Sequence, residues 1–509
     1  MNKNKQLFLN MTASLATFFV GLGINFFLTP FIVTNVSSEA YGFVSLANNL
    51  VEYATVLTIA LNSMAGRFIT IKIHQNDIEG SNRYFNSVLI ANVIFSVIIM
   101  IPAVFLVLFA DSALNISTVL VLDVKILFAF VFMNFILSVI SSTFNVATFA
   151  TNKLYLSSKK TFEAQIIRVI LIIALFSFLT PKVYYIGIAS VIVTVFCFIY
   201  NIYYTKILIP QIKINKIFFD FKAVKEVVSS GIWSSISKTG SLLLNGLDLL
   251  IANLFISPVE MGVLAIAKTF PTMITRLSMT MRGVFAPQLT IEYAKDKKEN
   301  LKREIKKGMK LTTIFLTIPL TILIVYGEAF YSLWVPGQDA VRLQILSILT
   351  CFGLIFTSGT QILFNVFTVV NKLKVNSLMV VLSGAVSAII VLIVLKTTSL
   401  GIYAVAAVSS CIMLLKSILF TLPYAAKCLN YKATEFFPEV LKSAICVIIM
   451  TVIGFAINKF VIIDSWLLLA LCAIVMTLIG FSINAMIILN ADERRYLVEM
   501  TKKIYKKFQ

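Results

Sequence analysis

Residues 371–402 read NKLKVNSLMVVLSGAVSAIIVLIVLKTTSLGI. Within them 376–396 is almost wholly apolar, and at about 1.5 Å per residue a helix of that length covers the roughly 30 Å hydrocarbon core of a bilayer. Lys372 and Lys374 precede the run and Lys396 closes it, so charge brackets it on both sides. Similar stretches recur outward from this one along the whole chain, separated by short polar breaks. The spans fall at 7–33, 40–66, 86–109, 125–150, 161–180, 184–206, 231–256, 260–287, 310–333, 342–370, 376–396, 400–427, 441–463 and 465–490. Across 509 residues 59% are apolar and 13% charged, and the mean hydropathy is +0.94, which leaves no soluble domain of useful size. The sequence predicts an all-α polytopic membrane protein with about fourteen transmembrane helices.

The opening stretch also has a counterpart. Asn371-Lys372-Leu373 matches Asn152-Lys153-Leu154 at an offset of 219, and Gly401-Ile402 matches Gly187-Ile188 at 214. Gly42 in Ala40-Tyr41-Gly42 corresponds to Gly262 in Glu260-Met261-Gly262 at 220, while Gly66 with Gly283 and Pro102 with Pro319 both lie at 217. Matches in one order, at corresponding loops and with a nearly constant offset, point to an internal duplication. Each copy holds six spans, an even number, so the copies share one orientation and are related by an axis along the membrane normal. The expected organisation is two pseudo-symmetric six-helix lobes plus two C-terminal helices. The N-terminal lobe is 1–210, a cytoplasmic linker 211–230, the C-terminal lobe 231–430, helices 13 and 14 within 431–490, and a basic tail 491–509. In the linker, Phe218, Phe221, Val224, Val227 and Val228 recur at helical spacing opposite Lys222, Lys225 and Glu226. That pattern predicts an amphipathic helix on the inner leaflet.

Loop charge gives the orientation. Alternate loops divide the basic residues into 32 on one side and five on the other, namely Lys125, Lys182, Arg342, Lys396 and Lys459. Basic residues are retained on the cytoplasmic side, so both termini are expected there, in a bacterial cytoplasmic (inner) membrane. The net charge of +20 then reports topology and contact with anionic membrane lipids, and nucleic acid need not be invoked. The first span is too long for a signal peptide and lacks a convincing cleavage site. The six cysteines form no CxxC pair and read as buried thiols, and His74, the single histidine, falls in a loop. No metal, no cofactor and no catalytic triad is expected, and the chain reads as a protein that is not an enzyme.

Six basic residues fall inside spans: Arg168, Lys238, Lys268, Arg276, Arg282 and Lys416. Each is costly unless it faces water or a partner. Arg168 and Lys416 stand alone and read as packing or snorkelling residues. The others cluster on helices 7 and 8. On helix 7, Ser234, Lys238, Ser241, Asn245 and Asp248 follow spacings of 4, 3, 4 and 3, which puts them on one face. On helix 8, Lys268, Thr272, Thr275 and Arg282 do the same, with Arg276 beside them. Asp248 and Lys268 each lie ten residues from Pro258, at equal depth, where they could pair. The 220 offset carries this pattern to Ser14, Asn25, Asn48, Glu52, Thr55 and Asn62 in the first lobe. Polar side chains also glue membrane helices together. Packing does not require a cluster of cations, however, so the expected cavity is asymmetric, net positive and suited to an anion, and Arg and Lys are the usual partners of phosphate oxygens.

With the run Leu28-Thr29-Pro30-Phe31 leading into Glu39-Ala40-Tyr41-Gly42, its echo at 256–262, and Asn371-Lys372 after helix 10, the chain resembles the Wzx-type oligosaccharide flippases. These form the polysaccharide-biosynthesis branch of the multidrug/oligosaccharidyl-lipid/polysaccharide superfamily. The resemblance spans the whole chain, although the motifs are short. It implies two six-helix lobes opening as a V and the translocation, by alternating access, of an undecaprenyl-pyrophosphate-linked glycan such as an O-antigen, capsule or exopolysaccharide repeat unit. Polysaccharide polymerase and glycosyltransferases are the implied partners. On that footing the pyrophosphate would be held by Lys268, Arg276, Arg282 and Lys238, and sugars by Asn25, Asn48, Asn245 and Ser241. Asp248 and Glu52 would serve ion coupling or charge pairing. The family's essential charges vary in position, so a cationic cavity carries over and individual residues do not. Two alternatives stand beside it: a multidrug cation antiporter of the same superfamily, for which an acid-dominated cavity is expected, and a membrane polysaccharide polymerase or glycosyltransferase, which would need a larger outer loop or an acidic motif.

Overall fold

The computed structural model describes residues 20–21, 23–24, 26–151, 153–294, 298–370 and 372–495. The regular elements among them are all helical. After α1 (Phe26–Asn35) come α2 (Ser38–His74), α3 (Ile78–Leu108), α4 (Thr118–Ala150), α5 (Leu154–Phe178) and α6 (Tyr185–Leu208). Then follow α7 (Phe221–Asn245), α8 (Asp248–Phe255), α9 (Pro258–Ala267) and α10 (Thr269–Ala294). The remaining helices are α11 (Lys298–Trp334), α12 (Ala340–Val369), α13 (Leu373–Thr397), α14 (Ile402–Cys428), α15 (Phe437–Asn458) and α16 (Trp466–Ile487).

Eleven helices among the described residues are long and apolar enough to cross a membrane. They coincide with eleven of the stretches read from the sequence. Of the other three, the first lies mostly outside the described residues, and the seventh and eighth are helical but interrupted. The seventh stops at Asn245 and resumes at Asp248; the eighth stops at Ala267 and resumes at Thr269. The polar residues that draw the stripes on these helices also lower their hydropathy. The linker differs from expectation too. Residues 211–220 are non-helical apart from one 3-10 turn at Lys216–Phe218, and the helix that starts at Phe221 continues without a break to Asn245. Asp220 caps it by accepting from the Lys222 amide.

Helix starts are marked as polar caps predict. Ser37, Asp77, Asp339 and Ser465 accept backbone N–H groups at the heads of α2, α3, α12 and α16.

The chain divides into two compact units, Met1–Ile266 and Ala267–Gln509. In the first, α2 packs on α3, α4 and α7. Leu61, Ile69, Phe85, Val88, Phe144, Ala147 and Val227 form its core. Gly231 brings α7 so close to α2 that a Cβ there would collide with the Ala60 carbonyl oxygen. In the second unit α11 is the central post, with 72% of its apolar window buried against 22% for α16. Around it Ile305, Met309, Ile362, Leu363, Phe367, Leu422 and Phe436 form a core.

Sequence matches at the repeat offset carry matching local geometry. Pro102 and Pro319 both sit inside long helices, α3 and α11. A 3-10 turn interrupts α4 at Thr143–Asn145 and α12 at Ser358–Ile362. The Lys153 amide donates to the Thr148 carbonyl at 2.8 Å, and the Lys372 amide to the Phe367 carbonyl at 2.8 Å, just ahead of α5 and α13. Gly42 on α2 and Gly262 on α9 meet each other: a Cβ on Gly42 would lie 2.9 Å from the Gly262 Cα, and one on Gly262 would run into the Ser38 carbonyl oxygen.

Candidate functional site

In the first unit the polar stripes of α2 and α7 face each other. Lys238 on α7 donates to Glu52 on α2 at 2.7 Å, so the cation expected to hold phosphate is charge-compensated in this structure. Asn48 is exposed, but its amide donates back to the Val44 carbonyl of its own helix at 2.8 Å. Ser241 and Asn245 are exposed on α7, and Asp248 is buried at the head of α8. Asn25 lies outside the described residues. Asn62, one of the repeat-derived amides, belongs to a packing ladder. It exchanges amide hydrogen bonds with Asn92 at 3.2 and 2.9 Å, Asn92 donates to Thr143 at 2.9 Å, and Ser142 donates to Asn62 at 3.2 Å.

The break between α7 and α8 frees backbone groups that must find partners away from water. Tyr53 donates its hydroxyl to the Gly246 carbonyl at 2.5 Å, and the Asn49 amide reaches the same oxygen at 3.4 Å. Asn49 and Tyr53 are four apart on α2, so one face of that helix carries both. Sequence reading missed them; the signal was a polar pair at i, i+4 inside an apolar span.

Farther along, the turn of α8 into α9 is tied down. Asn115 and Asn253 exchange three hydrogen bonds of 2.8–3.0 Å, and Ser117 donates through its amide and hydroxyl to the buried Glu39 carboxylate at 3.0 and 2.7 Å. Lys160, placed in a loop by the sequence reading, lies instead in α5 and is buried. Its ammonium donates to Asn201 at 2.6 Å and Asn145 at 3.3 Å, and Asn201 donates on to Ser141 at 2.9 Å. His74 ends α2, and its ring N–H donates to the Ala150 carbonyl at 3.0 Å.

In the second unit Lys268 forms the turn between α9 and α10, and Arg276 is exposed on α10. Arg282, further along α10, lies 5.9 Å from the centroid of the Phe364 ring on α12, and Asn365 donates to the Arg282 carbonyl at 2.8 Å. Lys416 on α14 lies 5.0 Å from the centroid of that same ring and is 8% exposed. Of the reading of Lys416 as an isolated packing or snorkelling residue, the packing part agrees with its burial and the isolation does not: two cations from different helices share one aromatic ring. No carboxylate among the described residues pairs with either. A cation–π contact contributes about 0.5–2 kcal/mol. Taking a charge out of water costs several kcal/mol, so the ring alone leaves the pair under-compensated. Among the described residues no group of three His, Cys, Asp or Glu side chains could hold a metal ion.

No family model matches the sequence. A curated relative, the uncharacterized membrane protein EpsK of Bacillus subtilis (strain 168), is 29% identical over 458 residues, 90% of each chain. Among solved structures, an inward-facing multidrug resistance MATE family transporter of the MOP superfamily superposes with a TM-score of 0.65 at 14% identity, over 83% of this chain and 98% of its own. The lipid II flippase MurJ, in an inward closed conformation, gives 0.63 at 15% identity, over 94% and 99%. The fold is that of the MATE and MurJ transporters. The MATE multidrug transporter DinF-BH agrees at 0.64 and 16% identity, over 85% and 98%. In this transporter fold the polar side chains described above stand on helices that are otherwise apolar, in a multi-pass membrane protein.

Proposed function

We propose that the chain is a flippase that moves an undecaprenyl-pyrophosphate-linked oligosaccharide from the cytoplasmic to the outer leaflet of a bacterial cytoplasmic membrane. The observation that carries the reading is the charge balance of α10 and α14, where Arg282 and Lys416 stand inside the bundle with no carboxylate partner among the described residues. Two cations without a carboxylate partner favour a phosphorylated headgroup, because Arg and Lys donate charge-assisted hydrogen bonds to phosphate oxygens. In this reading Lys268, Arg276 and Arg282 hold the pyrophosphate, while the exposed amides and hydroxyls of α2 and α7, Asn48, Ser241 and Asn245, meet the sugars. Asn25 keeps its proposed sugar role from the repeat alone. Lys238 enters only when it lets go of Glu52, which makes that pair a switch as well as a contact. The lipid tail stays in the bilayer, the two six-helix lobes rock, both termini remain cytoplasmic, and no bond is made or broken. MurJ, described as a lipid II flippase, shares the fold and supports this reading.

Deleting the gene and asking which leaflet accumulates lipid-linked oligosaccharide tests it. Accumulation in the cytoplasmic leaflet is the expected result. Unchanged polysaccharide with altered drug sensitivity would favour the second reading, a multidrug cation antiporter, which draws on the buried Asp248 and on the MATE neighbours. Replacing Lys268, Arg276 and Arg282 together by Gln should abolish complementation at unchanged protein level; full activity would remove these residues from the site.

A further inference from the structure

Resting on the flippase reading, we propose that Arg282, Phe364 and Lys416 form a two-point clamp for a diphosphate, and that Lys416 is the residue that distinguishes a diphosphate from a monophosphate.

Three features of the second unit converge here. Arg282 and Lys416 come from helices 134 residues apart in sequence, yet their charges lie 5.9 and 5.0 Å from one ring centroid. Neither has an acidic partner among the described residues, and Lys416 is only 8% exposed, so its charge is poorly hydrated and no carboxylate neutralises it. Lys416 also ends the regular part of α14. The next five residues, Ser417–Thr421, form a π-helical turn, and the Lys416 carbonyl accepts from the Thr421 hydroxyl at 3.5 Å. Single π turns inside α-helices frequently mark functional positions, because they displace one side chain from the regular helical face.

The ring offsets part of the repulsion between the two like charges. Its negative face attracts both, and Phe364 sits beside Asn365, whose amide fixes the α10 backbone at Arg282. A single phosphate would satisfy one cation well. A diphosphate carries two phosphoryl groups on a common bridging oxygen, so each cation can take one. The guanidinium offers a planar fork for bidentate contact and the ammonium a compact point charge. The matching chemistry is therefore a pyrophosphate. Lys416 stands on α14, one of the helices long and apolar enough to cross a membrane, so the source to which we commit is a lipid-linked pyrophosphate rather than the free ion.

The test uses the purified full-length protein in detergent with farnesyl pyrophosphate, farnesyl monophosphate and inorganic pyrophosphate as probes, binding being read by native mass spectrometry and thermal shift. The wild type should bind farnesyl pyrophosphate at least about tenfold more tightly than the monophosphate. Lys416→Gln should weaken the pyrophosphate lipid about tenfold and the monophosphate lipid little, collapsing the selectivity. Arg282→Gln should weaken both. Lys416→Arg, which keeps the charge if Lys416→Gln folds poorly, should preserve the preference, and Lys396→Gln at the far end of α13 should change nothing. Free pyrophosphate binding as tightly as the lipid would overturn the lipid source. Wild-type selectivity retained in Lys416→Gln would overturn the clamp while leaving the flippase intact. A wild type that binds no pyrophosphate lipid but binds an organic cation would overturn both.

Discussion

Glu52 and Lys238 show how much a single pairing changes the meaning of a charge. Their side chains remain 55% and 27% exposed, so the pair itself contributes about 1 kcal/mol or less to stability. Lys238→Gln should therefore shift thermal unfolding only slightly, while altering the dependence of transport on a proton or sodium gradient if Glu52 carries the coupling ion. A Glu52→Lys, Lys238→Glu exchange should restore the wild-type melting temperature but not that dependence. Glu435 makes a different kind of contact, outside the spans. Hydrogen bonds from Lys306 and then Lys302 hold its carboxyl below the usual range. Because the folded value is lowered, the contribution is complete above the unfolded value of ~4.3 and fades as pH falls through the folded one. Glu435→Gln should lower the melting temperature at pH 7 and match the wild type near pH 3; an equal deficit at both would contradict the assignment. Residues of this kind are only partly legible in the sequence. Charges on a helical face show in the spacing of Lys238 and Asp248, but Lys416 looks solitary because its partner is Phe364, and a cation resting on a ring leaves no charge pattern to read. Lys160 reads as a loop residue because its partners are uncharged amides 15 and 41 residues away.

At the scale of elements, the interruptions at Gly246 and Lys268 matter most. They leave α8 and α9 as a short hairpin with a break at each end. Hydropathy finds both spans but reads through the breaks, since one glycine in an apolar run is tolerated and the polar stripe obeys helical periodicity on either side. What holds the first break is Tyr53, a residue on another helix that no local pattern connects to Gly246. Removing its hydroxyl in Tyr53→Phe leaves the Gly246 carbonyl only the long Asn49 contact and should cost about 1–2 kcal/mol, measurable as loss of thermal stability. The hairpin is also packed by absence of bulk. Gly262→Val would push into the Ser38 backbone and should destabilise by about 1–3 kcal/mol, with protein level falling in step. An unchanged melting temperature would mean that the close approach relaxes without cost.

For the whole molecule, the class of fold is largely legible, because spans and loop charges are properties of composition along the chain. The matches at the 217–220 offset are legible as well, and at Pro102 and Pro319 they carry matching local geometry, each proline lying inside a long helix. The division of the chain at Ile266 is not, since it depends on which helices α7, α8 and α9 choose as neighbours. The proposed alternating access can be tested here. Asn115, in the turn after α3, and Asn253, on α8, exchange three hydrogen bonds, and cysteines in both places should cross-link on oxidation. Transport should then stop and recover on reduction; continued turnover with the cross-link complete would show that this junction stays shut during the cycle. The meeting of Gly42 with Gly262 adds a mechanical consequence. Interlocked side chains behave like gear teeth and must disengage before one helix can turn on another, whereas two bare backbones form a smooth bearing. Under the proposed alternating access, such a bearing at Gly42 and Gly262 would let α2 and α9 turn on each other without first prising side chains apart.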